Sequence, residues 1–66
     1  MAKHSGVVKF YNKDRKFGFI KADDGNEFFF HISGVLDEHP PEQGQNVRFE
    51  IITAPKGPKA VEVQSI

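Results

Sequence analysis

Sixty-six residues, nine Lys or Arg against nine Asp or Glu, seven phenylalanines and no cysteine set the first bounds. A chain this short has room for one domain, residues 1–66, around one small core. Without cysteine it has neither a disulfide staple nor a thiolate metal site. Nothing is apolar for long enough to span a membrane, and MAKHSG at the N-terminus has no apolar run, so a soluble cytoplasmic protein without a signal peptide is expected.

In chain order, Val7 to Tyr11 is β-branched and aromatic between Gly6 and polar Asn12-Lys13-Asp14, and predicts a first strand. Phe17 to Lys21 predicts a second. ADDGNE, residues 22–27, has the composition of a turn with Asp-Gly at its centre. Phe28 to Ile32 predicts a third strand, so 17–32 reads as a hairpin. Residues 33–45 hold Gly34, Pro40, Pro41 and Gly44 and predict a long loop with one short helical turn at 33–36. Val47 to Ile51 alternates apolar and polar, and this fourth strand can run to Thr53. APKGPK, residues 54–59, is a turn, and Ala60 to Val63 a fifth strand that can extend to Ile66. No amphipathic helix of useful length and no repeat is present. Five short strands in one small chain point to a closed or nearly closed barrel, which removes sheet edges.

Alternation assigns the faces, because successive strand side chains point opposite ways. Val47, Phe49 and Ile51 share the core side against Arg48 and Glu50. Val61 and Val63 face in, with Glu62 out. Lys21 belongs in water, which sends Phe17 and Phe19 out with it and Gly18 and Ile20 in. His31 suits the outward side, taking Phe29 with it and leaving Phe28 and Phe30 inside. Val8 completes the core and Val35 covers it. Three phenylalanines on two paired strands therefore face outward, with His31 and either Phe10 or Tyr11 near them. A one-residue slip in parity would instead put these rings in the core.

The zero net charge hides a division. Residues 1–21 carry six bases against Asp14 alone, residues 22–50 seven acids against Arg48 alone, and residues 51–66 Lys56 and Lys59 against Glu62. A basic face can thus coexist with an acidic one, and the local field governs an anionic ligand more than the total does. Leaving a phenylalanine in water forgoes roughly 1.5–3 kcal/mol of burial, so a group of such rings usually has a partner. Planar rings among Lys9, Lys13, Arg15, Lys16 and Lys21 suit a ligand both planar and anionic, which single-stranded nucleic acid is.

On these residues the chain resembles the bacterial cold-shock proteins from about Gly6 to Val63. The family's first aromatic motif, usually Lys-Gly-Phe-Gly-Phe-Ile, reads Arg15-Lys16-Phe17-Gly18-Phe19-Ile20. Its second, usually Val-Phe-Val-His-Phe, reads Phe28-Phe29-Phe30-His31-Ile32. The first strand, Val-Lys-Trp-Phe-Asn, reads Val8-Lys9-Phe10-Tyr11-Asn12, and Gln43-Gly44-Gln45 and Lys56-Gly57-Pro58 match later segments. The resemblance implies an all-β, five-stranded antiparallel barrel of the OB type that binds single-stranded RNA and DNA as a monomer, without catalysis or cofactor. It implies an RNA chaperone or cold-shock regulator in the stress response. It also favours outward rings over the parity slip.

Carried over by position, Phe10, Phe17, Phe19, Phe29 and His31 are the expected stacking residues. Lys9, Lys13 and Lys56 correspond to basic or flanking contact positions, and Lys16 and Lys59 are further cations expected in the binding set. Glu27 stands where the family often has an aspartate and is placed to accept hydrogen bonds from a base edge. Ile32 occupies the last aromatic position of the second motif. The departures are Phe10 for tryptophan, Lys16 for the first glycine, Ile32 for an aromatic, Glu62 for a late asparagine, and a loop about two residues shorter with His39-Pro40-Pro41 where many members have an aromatic.

Other chemistry has little support. His4, His31 and His39 lack ligand-like spacing, Asp23-Asp24-Gly25 is better explained by a hairpin turn than by a calcium loop, and no serine has a nucleophile's surroundings. The rival from another class is an OB-type module whose aromatic patch binds a protein or dimerises.

Overall fold

A computed structural model describes residues 4–66. Lys3, and with it part of the N-terminal sequence discussed above, lies outside the described residues. The strands are β1 (His4–Asn12), β2 (Phe17–Ala22), β3 (Glu27–His31), β4 (Asn46–Ala54) and β5 (Gly57–Ser65), with a 3-10 turn at Ile32–Gly34. They close into a barrel in the order β1-β2-β3-β5-β4. The β1·β2, β2·β3, β1·β4 and β4·β5 seams are antiparallel, while β3 and β5 pair in parallel through Phe29 with Lys59 and Phe30 with Ala60. The expected barrel is thus antiparallel at every seam but this one.

The interior follows the predicted alternation over most of its length. Val8, Ile20, Phe28, Phe30, Val47, Phe49 and Val63 are buried, joined by Ala22 and Ala60, and Tyr11, Val35 and Ile51 pack against them. Val35 covers one end, as expected. It bridges to Val63, and the next residues tie down through Leu36 N–H to the Val63 carbonyl at 2.7 Å and Ser65 N–H to the Asp37 carboxylate at 2.7 Å.

Val61 corrects the alternation. It is only half-buried, and Ala60 takes the inward place. The β4·β5 register runs from Arg48 opposite Gln64 to Glu50 opposite Val61, so Phe49 faces two residues of β5. That is a β-bulge. Glu62 is the extra residue, in the left-handed region with φ 51°. An asparagine would tolerate that conformation better than a glutamate.

Two boundaries also move. The third strand ends at His31, and Ile32 opens the 3-10 turn, one residue earlier than the helical turn predicted from sequence. β4 and β5 run further than expected and meet at a tight turn, so most of 54–59 is strand.

Gly18 explains why two phenylalanines flank a glycine. A Cβ there would overlap the backbone oxygen of Phe10 and lie 3.0 Å from the Phe30 ring. Only glycine lets β1 approach β2 this closely while Phe30 fills the space beneath.

Candidate nucleic-acid interface

The outward surface of β1, β2 and β3 is built by register. In β2·β3, Phe19 lies opposite Phe29 and Phe17 opposite His31. These are outward positions, since Gly18, Ile20, Phe28 and Phe30 between them are buried. β1 joins the same face through a second bulge. Val8 pairs with Ile20, but the next pair is Phe10 with Phe19, so Lys9 is the extra residue. Unbroken alternation from Val8 would have turned Phe10 inward. The bulge instead sends Phe10 out, 37% exposed, and turns Tyr11 onto the core, where it stacks on Phe30 at 5.9 Å. The choice between Phe10 and Tyr11 is settled in favour of Phe10.

The result is a continuous group of four rings. Phe10 stacks with Phe19 at 6.0 Å and meets Phe17 edge-on at 6.2 Å. Phe29 lies 5.6 Å from Phe17 and 6.1 Å from Phe19. These separations are those of favourable aromatic pairs, so the rings partly shield one another while each keeps a solvent-facing side. Phe17, Phe19 and Phe29 are half-buried and Phe10 is more open.

Charged side chains border this group unevenly. Lys9 reaches across β2 to place its Nζ 2.8 Å from the Glu27 carboxylate on β3, with both side chains about half exposed. The Lys9 hydrogen bond and charge hold the Glu27 carboxyl below the usual carboxylate range. Lys59 stands opposite Phe29, and Lys56 lines a mainly apolar recess beside that ring, with Ala54, Pro55, Gly57 and Pro58. Lys13 lines another recess with Tyr11 and residues 37–43.

The basic turn after β1 is organised by Asn12, whose side-chain oxygen accepts from the N–H of Asp14 at 2.9 Å and of Arg15 at 3.1 Å. Lys16 closes the turn by donating its N–H to the Asn12 carbonyl at 2.7 Å, and its own carbonyl accepts from Ile32 N–H at 2.9 Å. Lys16 holds φ 61°, the left-handed region, which costs a side-chain-bearing residue roughly 1–2 kcal/mol. The turn therefore carries local strain at the border of the aromatic face. Ile32 is half-buried in the 3-10 turn rather than on the strand.

His31 is exposed at the end of β3, where its Nδ1 meets the N–H and Oγ of Ser33. Asn12 and Ser33 were not among the residues expected from sequence to shape the face. Asn12 did carry a signal, since asparagine after a strand commonly caps the following turn. Among the described residues no cluster of His, Asp or Glu is arranged to hold a metal, and no helix is long and apolar enough to cross a membrane.

A closed five-stranded barrel of the OB type with an outward aromatic face defines the class of protein. The "'Cold-shock' DNA-binding domain" family model matches residues 4–66. A cold shock-like protein CspC of Buchnera aphidicola is 44% identical over 69 aligned residues, covering all of both chains. Cold shock-like protein CspLB of Listeria monocytogenes is 36% identical, covering 94% of this chain and 97% of its own. A Bacillus cereus cold shock-like protein CspC is 38% identical, covering 88% and 92%. Among solved structures, a Drosophila chain described as Unr CSD456 superposes with a TM-score of 0.80 at 22% identity. That match covers 96% of this chain but only 26% of the other, so it speaks for the fold. The chain belongs to the cold-shock domain family.

Proposed function

We propose that this protein binds single-stranded RNA and DNA along the outward face of β1, β2 and β3, without chemical turnover. The observation that carries the reading is the group of four outward phenylalanines, Phe10, Phe17, Phe19 and Phe29, in mutual contact at the surface. Every base has a face that stacks on such rings, at about 1–3 kcal/mol per base. The bordering cations Lys16, Lys56 and Lys59 supply phosphate contacts, and Lys9 does so where the strand displaces Glu27. Lys13 serves a strand that continues past the turn. Glu27 offers an acceptor to a base edge, and His31 extends the stacking row beyond Phe17. Ile32 lies next to that row.

Binding of this kind favours open RNA over hairpins by mass action, without ATP, which is how the protein acts as an RNA chaperone or cold-shock regulator in the cytoplasm. It does so as a monomer. The test is a fluorescence titration with oligo-dT and oligo-U at several salt concentrations. If about four cations touch phosphates, log affinity falls with log salt at a slope of roughly −3. Absence of binding, or a slope near zero, would contradict the reading and favour an apolar protein interface or dimer contact on the same face.

A further inference from the structure

We propose that Ser33 is a positioning residue that locks the His31 ring and its tautomer for ligand contact. The inference rests on the single-strand reading of the face that His31 borders. His31 ends β3 and caps the following 3-10 turn with extended backbone, and its side chain accepts from the Ser33 N–H. The distance is 3.1 Å, and Ser33 Oγ lies 3.0 Å from the same Nδ1.

A backbone N–H can only donate, so Nδ1 must be the acceptor. The neutral ring then carries its proton on Nε2. Ser33 Oγ–H, which is free to rotate, donates to Nδ1 as well and completes a two-pronged hold on one edge of the ring. With Nδ1 so occupied, the opposite edge presents an N–H donor. The side chain is exposed and stands opposite Phe17 in the ladder. An imidazole held in this way offers two things to a strand crossing Phe17. One is a ring of fixed orientation for stacking. The other is a donor of defined identity for an acceptor oxygen on the nucleotide. Without Ser33 Oγ the ring is held by one hydrogen bond only, and part of its orientational freedom must be lost at each binding event.

The test compares wild type, Ser33→Ala and Ser33→Thr by long-range ¹H–¹⁵N spectra of the imidazole, and by affinity for oligo-dT. All three should show the Nε2–H tautomer, because the residue 33 N–H remains in each, but side-chain ¹³C relaxation should show a more mobile ring in Ser33→Ala than in wild type or Ser33→Thr. Affinity should fall roughly two- to tenfold in Ser33→Ala, the range of one neutral hydrogen bond, and recover in Ser33→Thr. In a His31→Ala background, Ser33→Ala should cost nothing further. A wild type without the Nε2–H form, an unchanged ring mobility in Ser33→Ala, or an equal loss of affinity with and without His31 would overturn the proposal. If the wild type shows the Nε2–H form but does not bind oligo-dT, the reading of the face fails, and with it the part of Ser33 in binding, while the ring lock is still recorded by its spectrum.

Discussion

The interior holds Phe28, Phe30 and Phe49, and the outward face of β1, β2 and β3 holds Phe10, Phe17, Phe19 and Phe29. The two regions use one residue type for opposite ends. Inside, Phe30 and Phe49 are fully buried and each stabilises the barrel through area removed from water. Outside, the rings touch one another but leave faces uncovered, which the proposed ligand would cover. The backbone sorts the two sets by strand parity and by the bulge at Lys9. Hydrophobicity alone does not separate them.

The comparison breaks most visibly inside. Phe30→Ala should lower unfolding free energy by about 3–5 kcal/mol through lost transfer energy and a cavity, measured by denaturant titration. For a barrel this small, that loss can exceed most of its margin. On the outward face, alanine at Phe17, Phe19 or Phe29 should each weaken oligo-dT binding by about 1–3 kcal/mol while the unfolding midpoint moves much less. If these variants unfold the protein and binding per folded molecule is unchanged, the two sets have been exchanged.

Smaller effects sharpen the boundary between the regions. Lys16→Gly should stabilise the fold by about 1 kcal/mol, since the left-handed penalty outweighs the entropy that glycine adds to the unfolded chain. The same change should weaken binding at low salt, with the difference shrinking as salt screens the lost charge. A more stable variant that binds as well as wild type would show that the strained lysine contributes nothing to the face. Ile32→Phe should tighten binding to longer strands by ~1 kcal/mol, most visibly at high salt. No gain at any length would place Ile32 off the path of the strand.

The Lys9–Glu27 pair gives the smallest effect, and its sign is determined. Because the folded carboxyl is depressed by Lys9, the pair's stabilisation is present above the ordinary carboxylate range and is lost as pH falls through the depressed value. The Glu27 side-chain carbon resonance should therefore titrate below the ordinary carboxylate range, and return toward it in Lys9→Gln. No difference between the two proteins would mean that the pair does not persist in solution.

Much of this sorting is legible in the sequence because one polar residue on a strand marks the outward parity for the whole strand. Lys21 and His31 place Phe17, Phe19 and Phe29 outward, and Arg48 places Val47 and Phe49 inward. The bulges are where alternation stops informing. At Lys9 and Glu62 one extra residue resets the phase, and neither residue type announces a bulge. Hence pattern alone does not tell Phe10 from Tyr11, and it gives Val61 the inward place that Ala60 holds. The Lys9–Glu27 pair joins residues 18 apart in sequence and depends on register across three strands. Local composition carries no trace of it. The hold of Ser33 on His31 is local, but it requires the strand to end at His31, and the apolar Ile32 conceals that boundary.

In the proposed mode of binding, four of the seven phenylalanines meet the ligand and three do not. The most direct measurement is the ¹H–¹³C aromatic spectrum of the protein, assigned ring by ring, during titration with oligo-dT. Phe10, Phe17, Phe19 and Phe29 should shift strongly, and Phe28, Phe30 and Phe49 should change little. Saturable binding that leaves the first four rings unmoved, or moves the three interior rings as much, would contradict it.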